Sequence, residues 1–173
     1  MNLLRTIIII AAIITTIFQT SYAYDNRVPV RVGISDTNFK TYLYDSMEFI
    51  DLENISILDS ATGYEVPYDI TPEKVTVTIE NNLFRIYVDD ELVARNLSGP
   101  ILIRPKNTGY VTISGLKRKG KQAKYRGYIE LVISGKDSSK FSVVNVLSLK
   151  NYLRGVVPNE MPVKFGLEAL KAQ

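Results

Sequence analysis

The sequence predicts an α+β protein, a mainly antiparallel β region followed by a strand–helix–loop–helix segment. Three observations lead there. Turn-forming residues recur about every ten positions between short runs that alternate apolar and polar, as in a sandwich, barrel or compact β domain. After Lys140 the apolar residues switch to helical spacing. The composition, 46% hydrophobic and 23% charged, is that of a chain able to bury a core.

The β elements follow in order. Residues 28–34 (VPVRVGI) alternate as a leading strand, and residues 42–49 and 55–58 are the next candidates. Asp59-Ser60-Ala61-Thr62-Gly63 supplies turn residues, with Gly63 suited to positive φ. Residues 75–79 (VTVTI) alternate strictly. Asn81-Asn82 reads as a hairpin turn into residues 84–88, and Asp89-Asp90 as the next turn into residues 92–94. Residues 101–104, 110–113 and 128–133 continue the series. Pro29, Pro67, Pro72, Pro100 and Pro105 fall at candidate edges or turns, where a missing N–H is tolerated. Between Lys117 and Arg126 the chain carries six positive charges and no negative one. A solvated hairpin tip is the plain reading; a contact for an anionic polymer or membrane surface is the functional one. The net charge of +3 does not make a nucleic-acid footprint, and no nucleic-acid partner is expected.

Residues 141–147 (FSVVNVL) read as a further strand. Ser148 is a suitable N-cap, with Asn151 at the third helical position. Leu149, Tyr152, Leu153 and Val156 then form one helical face, with Tyr152 expected in the core. Pro158 is expected to stop this helix, since proline disfavours helix in the residue before it. Residues 157–162 become a stiff loop between two prolines. A second helix starts near Phe165 or Gly166, carries Leu167 and Leu170, and runs to Gln173 without a stop signal. The expectation is that the sequence ends inside an element.

At the other end, Arg5 precedes an apolar run at residues 6–18, and small residues stand at Ser21 and Ala23. Charge, apolar core and A-x-A-like site come in the order of a signal peptide, with cleavage expected after Ala23. The run is short beside the roughly 20 residues of a membrane span. A membrane partner enters only if this segment stays uncleaved as an anchor. The expected organisation is a signal peptide at 1–23, a β-rich region at 24–120 and the start of a second domain at 121–173.

The 173 residues contain no Cys, His or Trp. A thiol nucleophile, a Ser-His-Asp triad and a His- or Cys-ligated zinc site are excluded within them. No metal and no cofactor are expected, which leaves carboxylates, Lys, Tyr, Ser and Thr for any chemistry.

Asn145-Val-Leu-Ser-Leu-Lys-Asn-Tyr-Leu-Arg-Gly-Val-Val-Pro-Asn-Glu-Met-Pro162, followed by Leu167-Glu-Ala-Leu-Lys-Ala-Gln173, resembles the stage II sporulation protein D / amidase enhancer (SpoIID/LytB) family. Its hallmark is a strand, a "DYLRGVVPSEMP"-like stretch and an "LEALKAQAVAARTYA"-like helix. Tyr125-Arg126-Gly127-Tyr128 also resembles the "yrG" stretch ahead of that motif. The similarity covers about thirty residues; residues 24–120 carry no signature of their own. It implies an exported protein of the cell wall, a lytic transglycosylase acting on peptidoglycan glycan strands, with a cell-wall amidase as a further partner. It implies Glu160 as the catalytic residue. Some members carry Cys and His further along; this sequence has neither. With the downstream half of the domain beyond Gln173, the 173 residues alone are expected to be inactive or poorly active.

One carboxyl suffices for lytic cleavage. It protonates the glycosidic oxygen and then, as carboxylate, takes a proton from the sugar's own C6 hydroxyl, leaving a 1,6-anhydro sugar. Such an acid needs a pKa raised above the ordinary value of about 4.3, and burial against Pro158, Met161 and Pro162 would raise it. The competing reading makes Glu160 a loop carboxylate favoured by a helix N-terminus, which would lower its pKa. Arg154 and Asn159 are the candidate substrate-contact residues, with helix-surface charge the plain role of Arg154. Asn151 stands where the family has Asp, and Lys150 where an acidic residue is frequent, so neither is assigned a role. The alternative function is a non-catalytic wall-binding module that activates a partner amidase. A mature chain beginning at Tyr24 is the expected intact mass of secreted material; a mass that includes Met1 would remove the cleavage reading.

Overall fold

A computed structural model describes residues 29–35, 40–52, 55–68, 72–106, 109–118 and 120–160. The signal-like segment at 1–23 and the second helix expected near 165 lie outside the described residues. Among those described are twelve strands and one helix. The strands are β1 (Val30–Gly33), β2 (Ser46–Ile50), β3 (Ile55–Asp59), β4 (Tyr64–Glu65), β5 (Lys74–Glu80) and β6 (Leu83–Val88). They continue with β7 (Glu91–Leu97), β8 (Ile101–Pro105), β9 (Tyr110–Arg118), β10 (Lys121–Arg126), β11 (Tyr128–Ile133) and β12 (Phe141–Leu147). The helix, α1, spans Leu149–Glu160.

All pairings are antiparallel, in two six-stranded sheets. One runs β1-β12-β11-β8-β3-β4 and the other β10-β9-β2-β5-β6-β7. The alternation seen in the sequence becomes inward and outward facing residues. In β5, Val75 and Val77 are buried while Thr76 and Thr78 are half-buried. In β6, Phe84, Ile86 and Val88 are buried. One continuous core forms between the sheets, and Phe49, Ile57, Phe84, Ile103, Ile113, Ile129, Leu131 and Phe141 are fully buried in it. Removing each such side chain from water contributes roughly 1.5–3 kcal/mol. Phe84 and Phe141, from opposite sheets, meet edge to face with ring centroids 5.5 Å apart.

Asn81-Asn82 and Asp89-Asp90 form the expected two-residue hairpin turns. All four residues have positive φ (52°, 64°, 47° and 69°), the mirror-image turn whose twist matches that of the flanking strands. Asp89 also accepts a hydrogen bond from the Lys74 N–H at 2.9 Å. Asp90 pairs with the Lys74 ammonium and raises its pKa. Asp59, fully buried at the end of β3, accepts hydrogen bonds from the N–H groups of Ala61, Ser98 and Gly99 at 3.1, 3.2 and 3.1 Å. A buried carboxylate thus holds two distant turns together, each donor satisfied by a charged acceptor.

Two strands were not anticipated. β4 is only two residues long, too short for a periodic signal. β10 lies inside the basic segment expected as a tip. Ala123 and Tyr125 enter the core, while Lys121, Lys124 and Arg126 face out along an edge strand. Charges at a sheet edge discourage pairing with another chain. The boundary expected at 120/121 falls between β9 and β10, and β1 pairs along its length with β12.

The chain leaves the second sheet at Arg126, the last residue of β10, and enters the first at Tyr128, the first of β11. Gly127 makes this passage with φ of 81°. A Cβ there would press into the carbonyl oxygen of Val146 and lie 2.9 Å from the Leu147 Cβ. Gly63, φ 73°, has open space where its Cβ would point. We therefore expect Gly127→Ala to lower stability by roughly 2–4 kcal/mol, from positive-φ strain plus overpacking, and Gly63→Ala by only about 1. Urea unfolding midpoints at constant slope check the contrast; equal losses at both sites would contradict it.

Candidate functional site

Gly127 places two arginine–tyrosine pairs at one corner of the sandwich. On the second sheet Arg126 lies directly across from Tyr110. Its guanidinium carbon stands 5.4 Å from the Tyr110 ring centroid, and its Nη2 donates to the phenol oxygen at 3.1 Å. On the first sheet Ile103 faces Ile129, so the next residues along, Arg104 and Tyr128, are neighbours. The Arg104 guanidinium carbon lies 5.1 Å from the Tyr128 centroid. Stacking of this kind is worth about 0.5–1 kcal/mol at exposed sites and also fixes the plane of the guanidinium.

Both pairs line one cleft of about 620 Å³, closed at one side by Asn151 from the first turn of α1. A second cleft of about 310 Å³ adjoins it, sharing Tyr110, Arg126 and Asn151. Its wall is more apolar, with Val32, Ile34, Leu147 and Val156. Among the described residues, none that lines either cleft is acidic.

Asn145 on β12 holds the corner. Its buried side-chain amide donates to the carbonyl oxygens of Arg126 at 2.8 Å and Tyr128 at 3.2 Å, one on each side of Gly127. No such role was assigned to Asn145 from the sequence, because an asparagine among valines shows no turn chemistry. Its signal was the conflict itself: a polar residue at an inward position of a strand needs a buried partner.

The helix starts as expected. Ser148 Oγ accepts from the Asn151 N–H at 3.3 Å, and the Ser148 carbonyl accepts from the Tyr152 N–H at 3.0 Å. Two expectations for α1 are corrected. The helix does not stop before Pro158 but continues to Glu160. Proline's fixed φ is itself helical, so the helix passes through it with the loss of one backbone hydrogen bond. Tyr152 is not in the core; it is half-buried and lines the second cleft. Leu149 and Leu153 on the same face are 52% and 45% exposed, because no further element among the described residues packs on them.

Of the residues singled out in the sequence, Arg154 is exposed on α1 and lines neither cleft. Asn159 and Glu160 form the last two positions of α1; their side chains lie outside the described residues. Met161 and Pro162 also lie outside them. Asn151, given no role from the sequence, lines both clefts. Among the described residues no group of His, Cys, Asp and Glu could hold a metal ion, and no helix is long and apolar enough to cross a membrane.

Removing the Asn145 amide leaves two carbonyls at the corner without their donor. Asn145→Ala is expected to lower stability by about 1–3 kcal/mol, read from urea midpoints. A neutral effect would mean that water replaces the amide there.

Residues 137–173 match the family model of the stage II sporulation protein, SpoIID. The match takes in β12, α1 and the chain beyond. No curated protein matches the chain, and no solved structure does.

Proposed function

We propose, from the match of residues 137–173 to the stage II sporulation protein family, that this is an exported protein of the cell wall that cleaves peptidoglycan glycan strands by lytic transglycosylation. That match is the observation that carries the reading. The "VVPNEMP" stretch at 156–162 stands inside it, and Glu160 is the acid and base. Protonated, Glu160 gives its proton to the glycosidic oxygen as the C1–O bond breaks. The resulting carboxylate takes the proton of the C6 hydroxyl while that oxygen bonds to C1. The products are a free 4-hydroxyl on one fragment and a 1,6-anhydro ring on the other, with no water consumed. Asn159, next to Glu160 at the end of α1, and Arg154, earlier on the same helix, are the proposed strand contacts.

The signal-like segment at 1–23 supports export, and with it a place outside the cytoplasm, at the wall. A second reading has one observation in its favour. Among the described residues, the two clefts present arginine, tyrosine and asparagine but no carboxylate, which suits binding rather than proton transfer. In that reading the chain holds wall glycan and activates a partner amidase.

Glu160→Gln separates the two. Digestion of peptidoglycan strands by the full-length gene product should yield 1,6-anhydromuramyl ends by mass spectrometry, and the variant should lose at least a hundredfold in their rate of appearance, within the range of about 10²–10⁴ carried by one general acid. Retained binding with no anhydro ends from either protein would favour the binding module.

A further inference from the structure

Among the described residues, the two arginines in the 620 Å³ cleft have no acidic partner. The described ion pairs join Arg31 to Glu130, Lys74 to Asp90, Arg85 to Glu80 and Lys124 to Asp51, and none includes Arg104 or Arg126. The Nε of Arg104 is buried without a hydrogen-bond partner. A buried donor left open costs about 1–3 kcal/mol, more when it is charged. Like-charged guanidiniums also repel when they share a cleft whose described lining holds no acid. Both unfavourable features are relieved by one event, the arrival of an anion.

The geometry favours a particular kind of anion. A guanidinium is a planar fork that matches a carboxylate through two parallel hydrogen bonds. Here each fork is held against a tyrosine ring at 5.1 or 5.4 Å, so its orientation is set before anything binds. The cleft is far larger than a carboxylate, and it continues into the 310 Å³ cleft across the shared Arg126 and Tyr110. A volume of this class takes an organic body as well as its charge. Tyr110, 46% exposed at the junction, offers aromatic surface to such a body.

We propose that the corner cleft at Arg104, Arg126, Tyr110 and Tyr128 is a subsite for a carboxylate-bearing sugar, with the carboxylate between the arginines and the ring against Tyr110. The ligand class rests on the cell-wall reading above; the recognition of a carboxylate rests on the cleft alone. Asn145 acts as a positioning residue, since its amide holds the backbone on both sides of Gly127 and so sets where the two pairs stand. Binding weakens as salt is added, because the attraction is between charges at a partly open site.

N-acetylmuramic acid and N-acetylglucosamine share a ring and differ by one lactyl ether that carries a carboxylate. Titration of each into the full chain, followed by NMR of the tyrosine ring and arginine Nε–H resonances, tests the subsite. The acid sugar should shift the resonances of Tyr110, Tyr128, Arg104 and Arg126 and bind at least tenfold more tightly than the neutral sugar. Arg104→Gln with Arg126→Gln should remove that preference, with the unshifted remainder of the spectrum showing that the variant is folded. Equal affinity for the two sugars, or shifts elsewhere than the cleft, overturns the proposal without help from any variant, and so does equal binding of lactate alone. A chain that binds the acid sugar in the cleft but fails to bind or cut wall strands supports the subsite and removes the cell-wall reading. A chain that cuts wall strands but treats the two sugars alike does the reverse.

Discussion

The passage of the chain from one sheet to the other at Gly127 is the constraint on which the arrangement depends. β10 is the edge strand of one sheet, and β11 lies inside the other. The single residue between them must adopt positive φ and lie against the backbone of β12, where any side chain would collide with the Val146 carbonyl. Glycine alone meets both demands. The Asn145 amide then closes the corner by accepting no compromise in geometry: one side chain serves the carbonyls on either side. A core asparagine is tolerable there because both of its donor positions are used.

From that corner the rest of the sandwich is ordinary β physics. Hairpin turns of the mirror-image type connect β5, β6 and β7, and their asparagine and aspartate residues accept positive φ. Inward-facing valine, isoleucine and phenylalanine fill the space between the sheets. Ion pairs such as Lys74–Asp90 sit at the rim, exposed to solvent, and contribute little to stability by themselves. The charged outer face of β10 protects an edge that would otherwise invite pairing.

The corner also lies where β12 hands the chain to α1. Asn145 belongs to β12, Ser148 caps the helix, and Asn151 in its first turn lines both clefts. The proposed subsite at the start of α1 and the proposed acid, Glu160, stand toward opposite ends of the helix. A 12-residue helix spans about 18 Å at 1.5 Å per residue, the scale of a few sugar rings along a chain. Leu149 and Leu153 stand exposed on the same helix, beside the exposed Lys150 and Arg154.

How much was legible in the sequence depended on how local the cause was. Strand alternation, the Asn81-Asn82 and Asp89-Asp90 turns and the Ser148 cap are decided by residues within a few positions of one another, and residues 128–133 and 141–147 were bounded as the structure has them. Glu160 was singled out only through its motif, and its side chain lies outside the described residues. Elsewhere local reasoning failed for definite reasons. Pro158 biases the chain against helix but does not forbid it. Tyr152 follows an apolar period, yet a period says which face a residue shares and not what will cover that face. Arg104, Tyr110, Arg126 and Tyr128 come from four strands. Their pairing is written in register and sheet order, which no window of sequence contains. By itself the sequence determined most of the described strands, the two hairpin turns, the helix start and the motif that follows, because hydrogen bonding and burial at those positions are settled by near neighbours. Only the tertiary structure decided that Gly127 turns between sheets and that two arginine–tyrosine pairs line one cleft there, because both depend on which distant strands become adjacent.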